Sequence, residues 1–432
     1  MGNFYLAIGV LLILSLPVSI HAQPVVVTPK LLQQLQETIQ QQQEQLRKQA
    51  RQLQAQSEML KSLQTQINEL KQPPALPPTV AAAVPKTAPP ATITSGNDKI
   101  ELSISGQVNR AVNINNDGYS TNVYHVDNDA SNSRVRLVGK AKMSDDLALG
   151  TRIEIAVAPD ESSFVSQSNQ APGDYFNERW VELSLTSGKY GKISVGKGDT
   201  ASNNTAEVDL SKTDVVQYAS IADISGGMLF REKSSAGALT TIKVSDAFKD
   251  LDGLSRQSRL RYDTPRFFGF GLAGSIVSGQ RSDLALFWGT EGYGFKAAAA
   301  AAVANPILDN IGLQYDGSFS ALHTKSGLNL TVSGGLQGRD AGKDASNFYT
   351  KLGWLADFTK IGTTAFGVDY TLSQNLPSSE DKGYSIGAAV VQSFDRFATE
   401  MYLQYRLYSL DRKSGPPVGD MNVGTVGARV KF

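Results

Sequence analysis

Two histidines, one glycine fingerprint and a large set of charged side chains are the residues of this chain whose types and spacing could do chemistry. His125 and His323 are the only histidines beyond residue 22, and they stand far apart in sequence that reads as loop or turn. Metal sites need ligands converging at short spacings, and hydrolytic triads need a nucleophile and an acid beside the base. Neither is in evidence here. Gly269-Phe-Gly-Leu-Ala-Gly274 matches the dinucleotide-binding fingerprint letter for letter. That fingerprint works only where a helix N-terminus holds the pyrophosphate. Here Phe270, Leu272 and Ile276 alternate onto one face, which reads as strand. The 432 residues contain no cysteine, which excludes disulfides, thiol nucleophiles and cysteine metal sites. No catalytic, cofactor-binding or metal-ligating residue is expected, and no enzymatic step.

The charged residues speak through their spacing. Lys plus Arg and Asp plus Glu number 41 each, so the net charge is zero, which argues against nucleic acid as a partner. Val135, Leu137, Gly139, Ala141 and Met143 alternate with Arg134, Arg136, Lys140 and Lys142. Ile153, Ile155 and Val157 face away from Arg152 and Glu154, and Met401, Leu403, Tyr405 and Leu407 oppose Glu400, Gln404 and Arg406. Apolar on one face and cationic on the other, strand after strand, is the pattern of a wall between lipid and water. An Arg or Lys turned toward mid-bilayer lipid costs roughly 2–4 kcal/mol, so these cations belong in a water-filled lumen. The basic-wall candidates are Arg134, Arg136, Lys140, Arg152, Arg259, Arg261 and Arg110. Alternation sets Arg110 with Ile104 and Val108, so a lumenal Arg110 needs a bulge or a strand end.

The elements that must position these residues are strands of about ten residues. Residues 423–432 read VGTVGARVKF, with Val426, Ala428, Val430 and Phe432 on one face and Thr425, Gly427, Arg429 and Lys431 on the other. A final aromatic at interface depth closes such a strand and is an assembly signal candidate. The run 297–302 is all alanine and reads as a small-residue strand between Phe295 and Val303.

Three motifs carry a family resemblance. Residues 258–272 (SRLRYDTPRFFGFGL) resemble the strand–turn–strand that follows the constriction loop of Gram-negative general porins. Residues 177–185, 188–196 and 198–200 are similar to the strand pair and the start of that loop. Residues 349–354 and 362–370 are similar to a late porin hairpin. The resemblance implies sixteen antiparallel strands, a homotrimer in outer-membrane lipid, and a third loop folded into the pore from near Asp199. That loop carries the acids Asp199, Glu207, Asp209, Asp214 and Asp223, set against the basic wall. It also implies a lumenal Arg179, although alternation from Val181, Leu183 and Leu185 favours Glu182 inside. Residues 226–233 with 239–244 could add a hairpin and give eighteen strands; sixteen is preferred, because the motif at 258 directly follows the loop in the family.

Ahead of the barrel lie three segments. Residues 1–22 read as a cleaved signal peptide: an apolar core from Leu6 to Leu16, then Pro17, then Ala22 before Gln23, though no Lys or Arg precedes the core. Residues 23–71 hold six heptads in register. One seam is Leu32, Ile39, Leu46, Leu53, Leu60 and Ile67, and the other is Leu35, Gln42, Gln49, Gln56, Leu63 and Leu70. This is an α-helical coiled coil, similar to the one that a smaller group of trimeric porins carries in the periplasm. Residues 72–97 are a Pro/Ala-rich spacer, and 98–432 are the barrel. The sequence thus predicts an all-β outer-membrane barrel with a periplasmic coiled coil, passing small hydrophilic solutes and ions. The rival reading is a barrel anchor whose rod contacts peptidoglycan.

Overall fold

The computed structural model describes residues 92–94, 100–173, 176–234, 237–308 and 310–432. The signal peptide at 1–22 and the coiled coil at 23–71 lie outside these residues, as does the spacer apart from Thr92–Thr94.

The strands in chain order are β1 (Thr92–Thr94), β2 (Glu101–Asn116), β3 (Thr121–Asp127), β4 (Arg134–Lys142), β5 (Leu147–Val157), β6 (Phe176–Ser187) and β7 (Gly191–Asp199). Then come β8 (Leu229–Arg231), β9 (Leu239–Lys243), a one-turn helix α1 (Val244–Ala247), β10 (Arg256–Asp263), β11 (Phe270–Val277), β12 (Ser282–Gly292) and β13 (Phe295–Asn305). The last are β14 (Gln314–His323), β15 (Leu328–Gln337), β16 (Ala345–Thr359), β17 (Gly362–Gln374), β18 (Lys382–Phe394), β19 (Thr399–Asp411) and β20 (Met421–Lys431). The alanine run lies within β13 and the glycine fingerprint runs into β11, so both are strand, as alternation requires.

All wall pairings are antiparallel, and the sheet closes where β2 pairs with β20 from Gln107↔Lys431 to Asn116↔Asn422. The other edge of β2 takes β4 over Glu101 to Gln107 and β3 over Arg110 to Asn116. β3 and β4 therefore share one wall position, and the barrel has sixteen. Asp127 stabilises the break between them, accepting the Ser133 N–H at 2.8 Å and its hydroxyl at 2.5 Å. The outer face is the apolar one: Val108, Leu352, Leu403, Tyr405, Val426 and Val430 are all exposed. The inner face carries Asn109, Asn113, Thr425, Gln404 and Arg406, all buried.

They are buried because loop 200–255, between β7 and β10, folds into the lumen. Its backbone satisfies a row of small polar wall residues. The N–H groups of Ser202, Val208 and Leu210 donate to Asp283, Ser318 and Ser320 at 2.9, 2.9 and 3.0 Å. Asn113 Nδ2 and the Tyr408 hydroxyl then donate to the carbonyls of Ile224 and Ile221, each at 2.6 Å. Past that point the loop buries Val216, Ile221, Ile224, Met228, Phe230 and Phe248 against the inward-facing Tyr349, Tyr402, Tyr408, Leu410, Met421 and Val423. An apolar core thus lies inside the barrel. β8 and β9 form a separate two-stranded sheet within this loop and join no wall strand, which is why the hairpin at 226–244 does not make eighteen.

Candidate functional site: a gap between a basic wall and an acidic loop

The basic side is built on β4, β5, β6 and β10. Its hub is Glu154, fully buried on the inner face of β5. Arg136 Nε and Arg152 Nη2 reach one carboxylate oxygen at 2.6 Å each; Arg179 Nε and Arg134 Nη1 approach the other at 2.8 and 3.6 Å. Four guanidinium groups share one carboxylate, so this patch carries excess positive charge. Arg179 gets there by a β-bulge. Glu154 pairs with Trp180 but Ile155 pairs with Glu178, so Arg179 is the extra residue on β6. The bulge lets Arg179 point inward while Glu182 also stays inside, paired with Arg259 at 2.6 Å. Alternation and the family resemblance disagreed over Arg179, and the extra residue satisfies both.

Trp180, 6% exposed, carries Arg152 over its ring at 3.6 Å and Arg256 at 4.7 Å. Gly198 leaves the room for this: a Cβ there would come within 2.7 Å of the indole and 2.8 Å of Arg259. Arg256 also meets Asp199 at 3.2 Å. Arg259 and Arg261 are inward but spent on local partners. Arg259 donates to the Asp199 carbonyl at 2.8 Å, and Arg261 to Asp263 at 2.7 Å and the Thr200 carbonyl at 2.6 Å. They pin the start of the loop. Lys140 lies farther along β4, opposite Gly150, exposed and apart from the cluster. Arg110 is on the outer face with Val108 and Val112. No bulge interrupts its pairing; its Nη1 donates to the Pro159 carbonyl at 2.7 Å and lies 3.7 Å from Asp127. The plain alternation reading is the one Arg110 follows.

The acidic side is the inner face of the loop. Glu207, Asp214, Asp223, Asp250 and Asp252 line one cavity of ≈ 580 Å³, together with Arg134, Arg179 and Arg256 from the facing wall and Asp129 from the break between β3 and β4. Asp252 accepts the N–H groups of Asn204 and Ala206 at 2.7 and 2.9 Å. Asp223 accepts the Tyr218 hydroxyl, and that of Ser220 at 3.1 Å. Burial in the gap, reinforced by Asp252, Asp250 and Asp223, pushes Glu207 well above the ordinary carboxylate range. Burial, then repulsion from Asp250, does the same to Asp252. Two of the five acids expected here sit elsewhere. Asp199 is at the end of β7 on the basic side, and Asp209 pairs with the buried Lys351 of β16 on the opposite wall.

Sequence reading missed Glu154, Trp180, Arg256, Asp250 and Asp252. Arg256 shares its parity with Leu260 and Tyr262 and would be placed outside by counting. It stands at the first residue of β10, directly after Ser255 turns the chain with φ +58°, and so escapes the alternation. His125 lies on the outer face of β3, and His323 bonds Ser326 at 2.7 Å beside the Phe295 ring.

A model of the family described as Gram-negative porin matches residues 79–426. Comparison with curated protein sequences finds no match. Similar solved structures include the anion-selective porin from Comamonas acidovorans, 14% identical over 77% of this chain and 100% of that one, with a TM-score of 0.53. In-vitro folded OmpT of Vibrio cholerae is 12% identical over 79% and 99%, with a TM-score of 0.52. The outer membrane channel DcaP of Acinetobacter baumannii is 11% identical over 79% and 100%, also at 0.52. At such identities the likeness is one of fold.

Proposed function

Because the chain belongs to the Gram-negative porin family, and so forms an outer-membrane channel for diffusion of small hydrophilic solutes, we propose that the gap between Arg134, Arg179 and Arg256 and the acidic loop face is its constriction. The observation that carries this is a single cavity in which Arg134, Arg179 and Arg256, with Asp129 beside them on the wall, face five carboxylates of the loop. Fixed charges of opposite sign on facing walls set up a field across the path, which orders water and sorts solutes by size and charge. No bond is made or broken.

We further propose a homotrimer whose coiled coil at 23–71 lies in the periplasm. The unbroken heptads support it. At about 1.5 Å per residue the rod would be roughly 60 Å long, enough to reach toward peptidoglycan.

Single-channel recording of the full chain in a planar bilayer tests the constriction. Discrete conductance steps are expected, with a reversal potential that moves toward anion preference on acidification. The sign follows from the groups: protonation removes charge from Glu207, Asp223 and Asp252, while the arginines keep theirs. The raised carboxylates place the onset above the ordinary carboxylate range. A reversal potential indifferent to pH would remove the acidic loop face from the ion path, and absence of any conductance would favour the anchor reading.

A further inference from the structure

On the reading that places the chain's N-terminal segments in the periplasm, we propose that the barrel rim on that side binds anionic phospholipid headgroups of the inner leaflet. β2 begins and β20 ends at this rim, and seven short turns complete it: 143–146, 188–190, 264–269, 293–294, 324–327, 360–361 and 395–398. The turns hold five cations and three acids. The loops at the opposite rim from β11 onward (278–281, 306–313, 338–344, 375–381 and 412–420) hold five cations and six acids. Two of the three acids on the turns are spent: Asp145 pairs with Lys142 at 2.9 Å, and Asp146 accepts the Ser187 hydroxyl at 2.5 Å. Of the cations, Arg266 lies over Gly271, where a Cβ would meet its Cγ at 3.2 Å, and so turns into the barrel mouth. Lys189, Lys325, Lys360 and Arg396 remain against the single acid Asp395, and among the described residues none of the four forms an ion pair.

An exposed apolar or aromatic side chain accompanies each of the four. Tyr190, Ile361 and Phe397 directly follow Lys189, Lys360 and Arg396, and Leu328 lies three residues past Lys325. Two further turns put an aromatic at the tip against the preference of the backbone. Phe268 and Tyr293 have φ of +51° and +52°, the left-handed region that bulky residues avoid, and both are fully exposed. They lie beyond the strand aromatics Phe270, Trp288 and Phe295, which form the interface belt of such a barrel. A basic side chain beside an apolar one suits a lipid phosphate with hydrocarbon next to it. The excess of cations favours lipids of net negative charge, by about fivefold in affinity per Lys or Arg at the surface. The turns concerned run from β6 to β19, around most of the rim. A protein partner would touch one arc of it, whereas a leaflet touches all of it.

Native mass spectrometry of the full-length protein, offered equal amounts of phosphatidylglycerol and phosphatidylcholine with the same acyl chains, tests the rim. Phosphatidylglycerol is expected to be retained about fivefold more often. The fourfold variant Lys189→Gln/Lys325→Gln/Lys360→Gln/Arg396→Gln should bring that ratio toward one. Arg339→Gln/Lys343→Gln, at the opposite rim, should leave it unchanged. The chain has no cysteine, so Phe268→Cys and Tyr293→Cys each accept a single nitroxide label. In proteoliposomes both labels should be reached by oxygen more readily than by an aqueous nickel chelate, as at a lipid interface. Equal retention of the two lipids by the unaltered protein would overturn the proposal, as would a preference that survives in the fourfold variant or is lost in the control. Labels at 268 and 293 open to the nickel chelate would also overturn it and favour a soluble partner. None of these readouts depends on ion flow or on orientation in the membrane. Normal conductance steps without a lipid preference would therefore overturn this proposal alone, and a lipid preference without conductance would overturn the channel reading and leave the rim.

Discussion

At the scale of single residues, Trp180 turns a crowd of arginines into a fixed surface. Arg152 and Arg256 come from different strands and both lie over its ring. Each cation–π contact is worth about 0.5–2 kcal/mol, enough to hold a long side chain that would otherwise sample other partners. With Trp180→Leu, Arg256 loses the ring beneath it and is free to turn out of the gap, so positive charge leaves it. The reversal potential is therefore expected to shift toward cations, with Trp180→Phe retaining most of the original value. A purely structural role would lower the yield of folded barrel and leave the selectivity of the surviving channels unchanged, so the two roles separate in one bilayer experiment. The same residues show what sequence reading can and cannot reach. Arg134, Arg136 and Arg152 were legible because regular alternation carries them inward. Arg179 was ambiguous because a bulge adds a residue that counting cannot see. Glu154 was placed on the correct face, but its role needs the register that sets it beside four arginines at once.

At the scale of elements, the loop at 200–255 is held by its ties to the wall rather than by regular structure of its own. Lys351 is the strongest of these ties. Its ammonium, buried on β16, donates to Asp209, to Thr213 Oγ1 at 2.8 Å and to the Gln217 carbonyl at 2.8 Å. Removing one member of a buried pair leaves the other charge uncompensated, at a cost of about 3–5 kcal/mol. Lys351→Met should lower the thermal midpoint of the barrel and detach this stretch of loop, giving larger and noisier current steps. Lys351→Met with Asp209→Leu should recover much of the stability, because no orphaned charge remains. Unchanged steps in the single variant would mean that the serine and aspartate contacts on β12 and β14 suffice to hold the loop. The existence of the loop was legible from sequence, as was a hairpin at 226–244, though as a possible pair of wall strands. Its destination was not. Period-two apolar residues pack as well against an apolar core inside a barrel as against lipid outside one, and Phe230 and Ile242 take the former course.

At the scale of the whole molecule, a barrel exists only if its first and last strands meet, and here they meet at Phe432. Its N–H donates to the Gly106 carbonyl at 3.0 Å, and its carbonyl accepts the Gly106 N–H at 2.8 Å. The ring lies against Gly106 itself: a Cβ there would come 2.5 Å from the ring and 2.6 Å from the Arg134 carbonyl. Beyond this point β1 takes up the same edge of β2, with Thr92 opposite Ser103 and Thr94 opposite Glu101, so the seam continues into the chain that precedes the barrel. The outward face of β20 was legible from alternation, and the sixteen-strand count from the family resemblance. The seat for Phe432 was not, because a glycine on β2 says nothing by itself about which ring covers it. Phe432→Ala empties that seat and Gly106→Ala blocks it. Both should reduce the amount of assembled barrel recovered from outer membranes, read as the heat-resistant fast-migrating band on gels. The unit conductance of barrels that do assemble should stay unchanged, because the ring packs on the outer face, away from the arginines and carboxylates that line the gap. Normal assembly in both variants would show that the backbone bonds of the β2–β20 seam close the wall without the ring. Altered conductance in either would show that the seam and the constriction are mechanically coupled across the barrel.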